Sequence, residues 1–304
     1  MQSRCLVLSF VVLVGLASWG CGSGAKPPEA GCEEAPAEVW RSAMEVDPAV
    51  REVAPGVFLE EVGVRALRGC EDLDGPLAAF NWWTVRDAEG NAEYGSQVVQ
   101  FLIAMGAKLI FSGNVAEVFD EPVGRAPDGT PWIQETLSMP LYPSAWDFAG
   151  MISSREYLEI GSYKLSEQDN DDYDFVFMKC FFGCGAIEGA PGFFDAFKPV
   201  PTLAHLFNAS QGELRNAVGP LDRALRESGL GELYFAGYAW ATPGIRLNVE
   251  LPEGVDSARG FWNDGLILVS LAPGATAEQV LALDAYRDFL DTTGNDATVL
   301  LQAG

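Results

Sequence analysis

The 304-residue chain carries 19 Lys+Arg against 43 Asp+Glu, a formal net charge of −24. Such a chain repels phosphate backbones and anionic lipid surfaces, which argues against nucleic acid as a partner and against membrane attachment through a basic patch. Its 48% hydrophobic content is that of a globular protein.

Residues 1–20 read as a secretion signal. Arg4 is the only charge before Lys26, and Leu6 to Trp19 is almost wholly apolar. That run is shorter than the ~20 residues of a transmembrane helix, and a positive start, a short apolar core and small residues form an export signal. The core leads into Ser18-Trp19-Gly20-Cys21. Gly20 and Cys21 resemble a bacterial lipobox, while Ser18 and Trp19 depart from its usual aliphatic-then-small choice. The resemblance implies acylation of Cys21 and a membrane-anchored lipoprotein of the bacterial envelope, with the bilayer as partner through the acyl chain. Ordinary cleavage after Ser23-Gly24-Ala25 would instead give a soluble periplasmic or secreted protein. Residues 21–50, rich in Gly, Ala, Pro and Glu, read as a flexible tether, and 51–78 as a lead-in segment.

Cys5 leaves with the signal. Cys32, Cys70, Cys180 and Cys184 remain in an oxidising compartment, where three pairings are open. We favour Cys32–Cys70 and Cys180–Cys184. The second needs a bend between its cysteines, which Gly183 and Gly185 make available. No histidine lies near Cys-x3-Cys, so no metal is expected.

The first folded stretch, 79–170, reads as strand Ala79–Arg86, a turn at Asp87–Gly90, helix Tyr94–Ala107, strand Lys108–Val118, strand Trp132–Leu141 and helix Ala145–Glu159. The second, 171–304, reads as strand Tyr173–Phe182, an insertion over 183–210 and helix Gln211–Ser228. Strands Glu232–Trp240 and Gly265–Leu271, helix Thr276–Leu290 and strand Ala297–Leu301 complete it.

Internal similarity links the two. Leu109-Ile110-Phe111-Ser112-Gly113 and Leu233-Tyr234-Phe235-Ala236-Gly237 both read Leu-x-Phe-small-Gly. Arg155-Glu156-Tyr157-Leu158-Glu159 and Arg287-Asp288-Phe289-Leu290-Asp291 both read Arg-acid-aromatic-Leu-acid. Between them, Leu137, Met139 and Leu141 precede one turn as Ile267, Val269 and Leu271 precede another. The shared order predicts an α+β chain of two tandem ferredoxin-like (βαββαβ) domains. Phe80 to Val85 and Phe175 to Met178 are apolar on both faces, so each sheet needs cover beyond its helices. Two sheets facing each other in one chain would supply it and leave a monomer.

Asn81-Trp82-Trp83-Thr84-Val85-Arg86, the helix containing Tyr94, Leu109 to Gly113, and Tyr142-Pro143-Ser144 with Ser154-Arg155-Glu156-Tyr157 resemble the dimeric α/β-barrel superfamily. More narrowly they resemble its small uncharacterised bacterial members. The resemblance implies an intramolecular dimeric α/β-barrel. The superfamily serves many chemistries, so the fold does not choose among them. By the same resemblance Asn81, Trp83 and Trp146 line a ligand pocket, the amide orienting an oxygen and the indoles excluding water.

His205, the only histidine, sits in an apolar stretch and reads as a packed or hydrogen-bonded residue, which disfavours haem. Asp169 to Asp174 fails as an EF-hand loop at three positions and reads as a solvated linker. No cofactor motif occurs and none is expected. The expected role is therefore an exported lipoprotein that binds a small apolar or aromatic ligand or acts structurally in the cell envelope. A cofactor-independent monooxygenase or isomerase and a protein-interaction module are the alternatives.

Overall fold

The computed structural model describes residues 75–85, 88–120, 135–144, 147–148, 151, 156–157, 160, 173–207, 209–241, 265–294 and 297–303. The signal, Cys21, the tether, residues 51–74 of the lead-in, the Cys32–Cys70 pair, Trp146 and the acidic run Asp169 to Asp172 lie outside them, while the end of the lead-in, from Leu77, is already strand.

In chain order the elements are β1 (Leu77–Trp83), α1 (Ala88–Met105), β2 (Lys108–Asp120), β3 (Thr136–Tyr142), β4 (Tyr173–Phe182), α2 (Cys184–Glu188), β5 (Thr202–Phe207), α3 (Gln211–Ser228), β6 (Gly231–Ala241), β7 (Gly265–Leu271), α4 (Ala277–Leu281), α5 (Asp284–Thr293) and β8 (Ala297–Ala303). Residues 147–148, 151, 156–157 and 160 are also helical. Of the expected turn at Asp87–Gly90, residues 88–90 are instead the start of α1, and Asp87 lies outside the described residues. The expected helix Thr276–Leu290 is two helices, broken where Leu283 takes an extended conformation at the N-cap of α5.

All eight strands pair antiparallel in a closed barrel of order β1-β3-β2-β8-β5-β7-β6-β4. Among the described residues closure leaves no sheet edge unpaired. Strand alternation sends one set of side chains inward. Phe80, Trp82, Ile110, Leu137, Met139, Val176, Met178, Leu206, Leu268 and Val299 are among those that fill the barrel. The other face of β5–β8 packs against α3, α4 and α5 through Leu214, Val218, Leu221, Leu225, Val280, Tyr286 and Phe289. Fully burying each such Leu, Val or Phe contributes roughly 1.5–3 kcal/mol.

Segment 183–210 is not an insertion outside the sheet. It contains β5, whose six buried residues pair with both β7 and β8. Because β5 is apolar on both faces and only six residues long, it lacks the alternation that marks a half-buried strand. Between β4 and β5 the chain crosses the end of the barrel where β1 and β2 begin. Ile187, Ala196 and Phe197 join the interior there, with the Phe197 ring 6.2 Å from that of Phe111. The Leu109 N–H donates to Phe193 O at 2.8 Å. Lys198 forms an ion pair with Glu232 and lies 5.4 Å from the centre of the Tyr234 ring. The strap is fixed at its start by the Cys180–Cys184 disulfide, with Cα atoms 5.8 Å apart. The bend between the two cysteines is made by Gly183 at φ 80°, where a Cβ would strike the Tyr234 carbonyl.

With β5 in place the pairing repeats. Asn81 pairs with Ser138 and Phe175; His205, 124 positions on, pairs with Ile267 and Thr298, which lie 129 and 123 positions beyond those partners. A register shift falls between Leu109 and Phe111 in β2 and between Leu233 and Phe235 in β6. Across the joins, Gly113↔Ala303 and Val115↔Leu301 match Gly237↔Cys180 and Ala239↔Met178, and a second shift follows in both.

The repeated Leu-x-Phe-small-Gly is thereby explained. The bulge turns x and Phe inward together, and the Phe ring lies over the Gly two positions on. A Cβ on Gly113 would be 2.9 Å from Phe111 Cζ, and one on Gly237 2.8 Å from Phe235 Cζ. One alignment needs correction. Leu137, Met139 and Leu141 face the barrel interior, but Ile267, Val269 and Leu271 face the helices. Matching on the turns that follow displaced the register by one residue, which exchanges the two faces of a strand.

Candidate ligand-binding layer

Asn81 and Trp83 alternate with the inward-facing Phe80 and Trp82, so they lie on the outer face of β1, toward the helices. Both are buried. Asn81 Nδ2 donates to Ala79 O and Ser138 O, each at 3.1 Å. Both amide protons are thus committed to the sheet, and neither is left to orient a ligand oxygen.

The same layer holds three tyrosines that were not selected as site residues. The buried face of α1 carries Tyr94, whose hydroxyl is 3.0 Å from that of Tyr157 on the following helical stretch. Tyr142 ends β3 on the outer face, opposite Leu77. Phe148 packs edge-on against Tyr142 at 4.9 Å and against Phe177 at 4.7 Å, and Phe101 against Tyr157 at 6.2 Å. Burial raises the pKa of Tyr142 well above the ordinary tyrosine value, with Tyr157 adding to the effect. Burial also raises that of Tyr157, partly offset by its bond to Tyr94. These phenols stay neutral at any physiological pH and act as hydrogen-bond groups rather than acids. Ser144 opens the helical stretch, its hydroxyl donating to Asp147 Oδ2 at 2.6 Å and accepting from the Asp147 N–H at 3.0 Å.

His205 occupies on β5 the register position that Asn81 holds on β1. It is fully buried. Its Nε2–H donates to Gly294 O at 3.3 Å, which leaves Nδ1 to accept from the Thr298 hydroxyl at 2.9 Å. Phe289, Tyr286 and Phe207 surround the ring at 5.6, 6.0 and 6.1 Å. Burial lowers its pKa to about 4, against a small opposing effect from Gly294. The reading of His205 as a packed, hydrogen-bonded residue holds.

Among the described residues no group of three or more His, Cys, Asp or Glu could hold a metal ion. Among them too, no helix is long and apolar enough to cross a membrane.

No family model and no curated protein matches the chain. Solved structures do. A protein of unknown function from Rhodopseudomonas palustris is 20% identical, matching 38% of this chain and 91% of its own at a TM-score of 0.31. A Lactobacillus acidophilus protein provisionally named a monooxygenase is 8% identical over 75% of this chain and 93% of its own, with a TM-score of 0.39. An anthrone oxidase-like protein is 10% identical over 77% and 92%, again with a TM-score of 0.39. Identities and scores this low assign no role to any residue here.

The three tyrosines lie inside the stretches that carried the sequence resemblance, but as pattern matches rather than as chemistry. They stand out once β5 fixes which positions correspond across the barrel.

Proposed function

We propose that the chain is an exported, lipid-anchored protein built from two tandem ferredoxin-like halves, β1–β4 and β5–β8, closed into one intramolecular barrel. We further propose that it binds a small apolar or aromatic molecule in the sheet–helix layer of its first half. The strand orders β4-β1-β3-β2 and β8-β5-β7-β6, with their matching registers and bulges, support the tandem arrangement. A barrel in which every described strand is paired on both sides also supports a monomer, because the described sheet offers no edge for a second copy to extend. The Gly20-Cys21 junction after a short apolar core supports the anchor.

The observation that carries the binding reading is the convergence of Tyr94, Tyr142 and Tyr157 in one aromatic layer on the outer face of the first half's sheet. Apolar walls with a few placed polar groups are the makings of a small-molecule site. The reading is tested by native mass spectrometry of protein drawn from a bacterial envelope, before and after organic extraction. A released small molecule is expected. Its absence, with no thermal shift on adding neutral aromatic compounds, would leave only the structural role. Fatty-acid labelling tests the anchor separately: Cys21→Ser should abolish it, and equal labelling of both forms would refute it.

A further inference from the structure

Gly185, Gly189 and Gly192, with Pro191, Pro199 and Pro201, keep residues 184–201 from joining the sheet as a strand. This strap is fastened to the barrel end by separate contacts rather than by a ladder. The Leu109 N–H donates to Phe193 O at 2.8 Å, and the Leu271 N–H to Pro201 O at 2.9 Å. Lys198 pairs with Glu232, while Ile187, Ala196 and Phe197 reach the interior. A segment held by a few contacts opens at lower free energy than the fold around it.

The closed strap also covers an unfavourable burial. Tyr234 turns inward at the bulge of β6, where Ile110 stands in β2. Lys198 Nζ lies 5.4 Å from the centre of its ring. The Tyr234 hydroxyl is buried with no hydrogen-bond partner among the described residues. Burial raises its pKa, and Thr202 is close enough to temper that rise, but the Thr202 hydroxyl donates to Val200 O at 3.1 Å instead. Such a hydroxyl has lost its bonds to water and gained none, which destabilises the closed state. The Cys180–Cys184 bridge acts in the opposite sense. Its cysteines are only four positions apart, so it pins the start of the strap to the end of β4. Both are half-buried, within reach of a thiol. Across the other join Ala303 lies opposite Gly113 as Cys180 lies opposite Gly237, so the sheet itself does not need a cysteine there.

We infer that Cys180–Cys184 is a redox latch: oxidised, it holds the strap over the barrel end, and its reduction by a dithiol lets the strap lift as a unit from Phe111 and Tyr234 while the barrel stays closed. One thiolate of the dithiol attacks a sulfur of the bridge. The S–S electron pair leaves on the other sulfur, which takes up a proton. The second thiol then displaces the mixed disulfide, so the reductant ends as a disulfide and both cysteines end as thiols.

The test is amide hydrogen exchange by NMR on the mature chain with Cys21→Ser, Cys32→Ser and Cys70→Ser, oxidised and in dithiothreitol. Leu109 reports the strap through its bond to Phe193. Ile267, in the middle of β7 and paired with His205 and Ala236, reports the barrel. Reduction should speed Leu109 exchange about thirtyfold, the effect of releasing so short a loop. Leu109 exchange should respond weakly to low urea and Ile267 exchange steeply, because lifting the strap exposes far less surface than unfolding the barrel. Cys184→Ser without a reductant should reproduce the reduced behaviour. Tyr234→Phe should slow Leu109 exchange about tenfold, because it removes the unpaired hydroxyl from the closed state. Leu109 exchange that is unchanged on reduction, that follows urea as Ile267 does, or that Tyr234→Phe does not slow would each overturn the inference.

Discussion

Three tyrosines stand in the layer between β1, β3 and the first helices, whereas the layer between β5, β7 and α3 to α5 is filled by Leu, Val and Phe with a single phenol, Tyr286. The backbones beneath follow the same registers and carry the same bulge. Equal scaffolds with unequal fillings separate two roles that a single domain confounds. Features present in both layers belong to the fold, and Leu-x-Phe-small-Gly is one of them. Features present in one layer belong to that half alone, and the three tyrosines and His205 are of this kind.

The largest expected effects come from the shared features. Gly113→Ala would drive a Cβ into the backbone carbonyl of Gln302 and to 2.9 Å from Phe111 Cζ. A backbone atom cannot give way as a side chain can, so we expect a loss of about 3–4 kcal/mol in chemical denaturation. Gly237→Ala meets the movable Phe235 ring first, at 2.8 Å, with Lys179 O at 3.3 Å, and should cost less, about 1–2 kcal/mol. Equal losses would mean that the Gln302 carbonyl does not crowd Gly113 beyond what Gly237 experiences.

His205 gives the next effect. Its folded-state pKa, about 4, lies below the ~6.5 of an unfolded histidine. Between those values the unfolded chain binds the extra proton, so stability is fully present above pH ~6.5 and is lost as pH falls toward 4, by about 3 kcal/mol. Replacing His205 with the residue of the first half, His205→Asn, should remove this acid-sensitive part and leave the slope due to carboxylates. Denaturation midpoints at pH 7 and pH 4.5 measure it, and the same slope in both proteins would contradict it. Reduction of Cys180–Cys184 should cost about 2 kcal/mol, the value for so short a loop. With the strap also held by Phe193 and Lys198, the barrel should stay folded. The smallest effect is Tyr157→Phe, which removes the bond to Tyr94 and should cost about 0.5–1.5 kcal/mol. Its mirror change, Phe289→Tyr, should not be stabilising, because no equivalent partner stands at Val218.

Much of the fold was legible. Helix Gln211–Ser228 and strands Tyr173–Phe182 and Gly265–Leu271 match to the residue, because Ser210 with Glu213 forms a capping box and Gly229 stops the helix. The cysteine pair was legible because Gly183 advertises the bend. β5 was not, since six residues buried on both faces give no period to read. With β5 unread, β4 took its place as the first strand of the second half, and Asn81 had no counterpart. The tyrosines were missed for the same reason: a buried phenol looks like any core aromatic until the corresponding position is seen to be Leu, Val or Phe.

The central claim is that the layer of the first half, and not that of the second, holds a small molecule. Giving the first layer the residues found at the corresponding positions of the second, Val218, Leu271 and Phe289, tests it most directly: Tyr94→Val, Tyr142→Leu and Tyr157→Phe together, with native mass spectrometry of protein drawn from a bacterial envelope. The account predicts a released small molecule from the unaltered protein and none from the folded triple variant. A folded triple variant that still carries the molecule would contradict it.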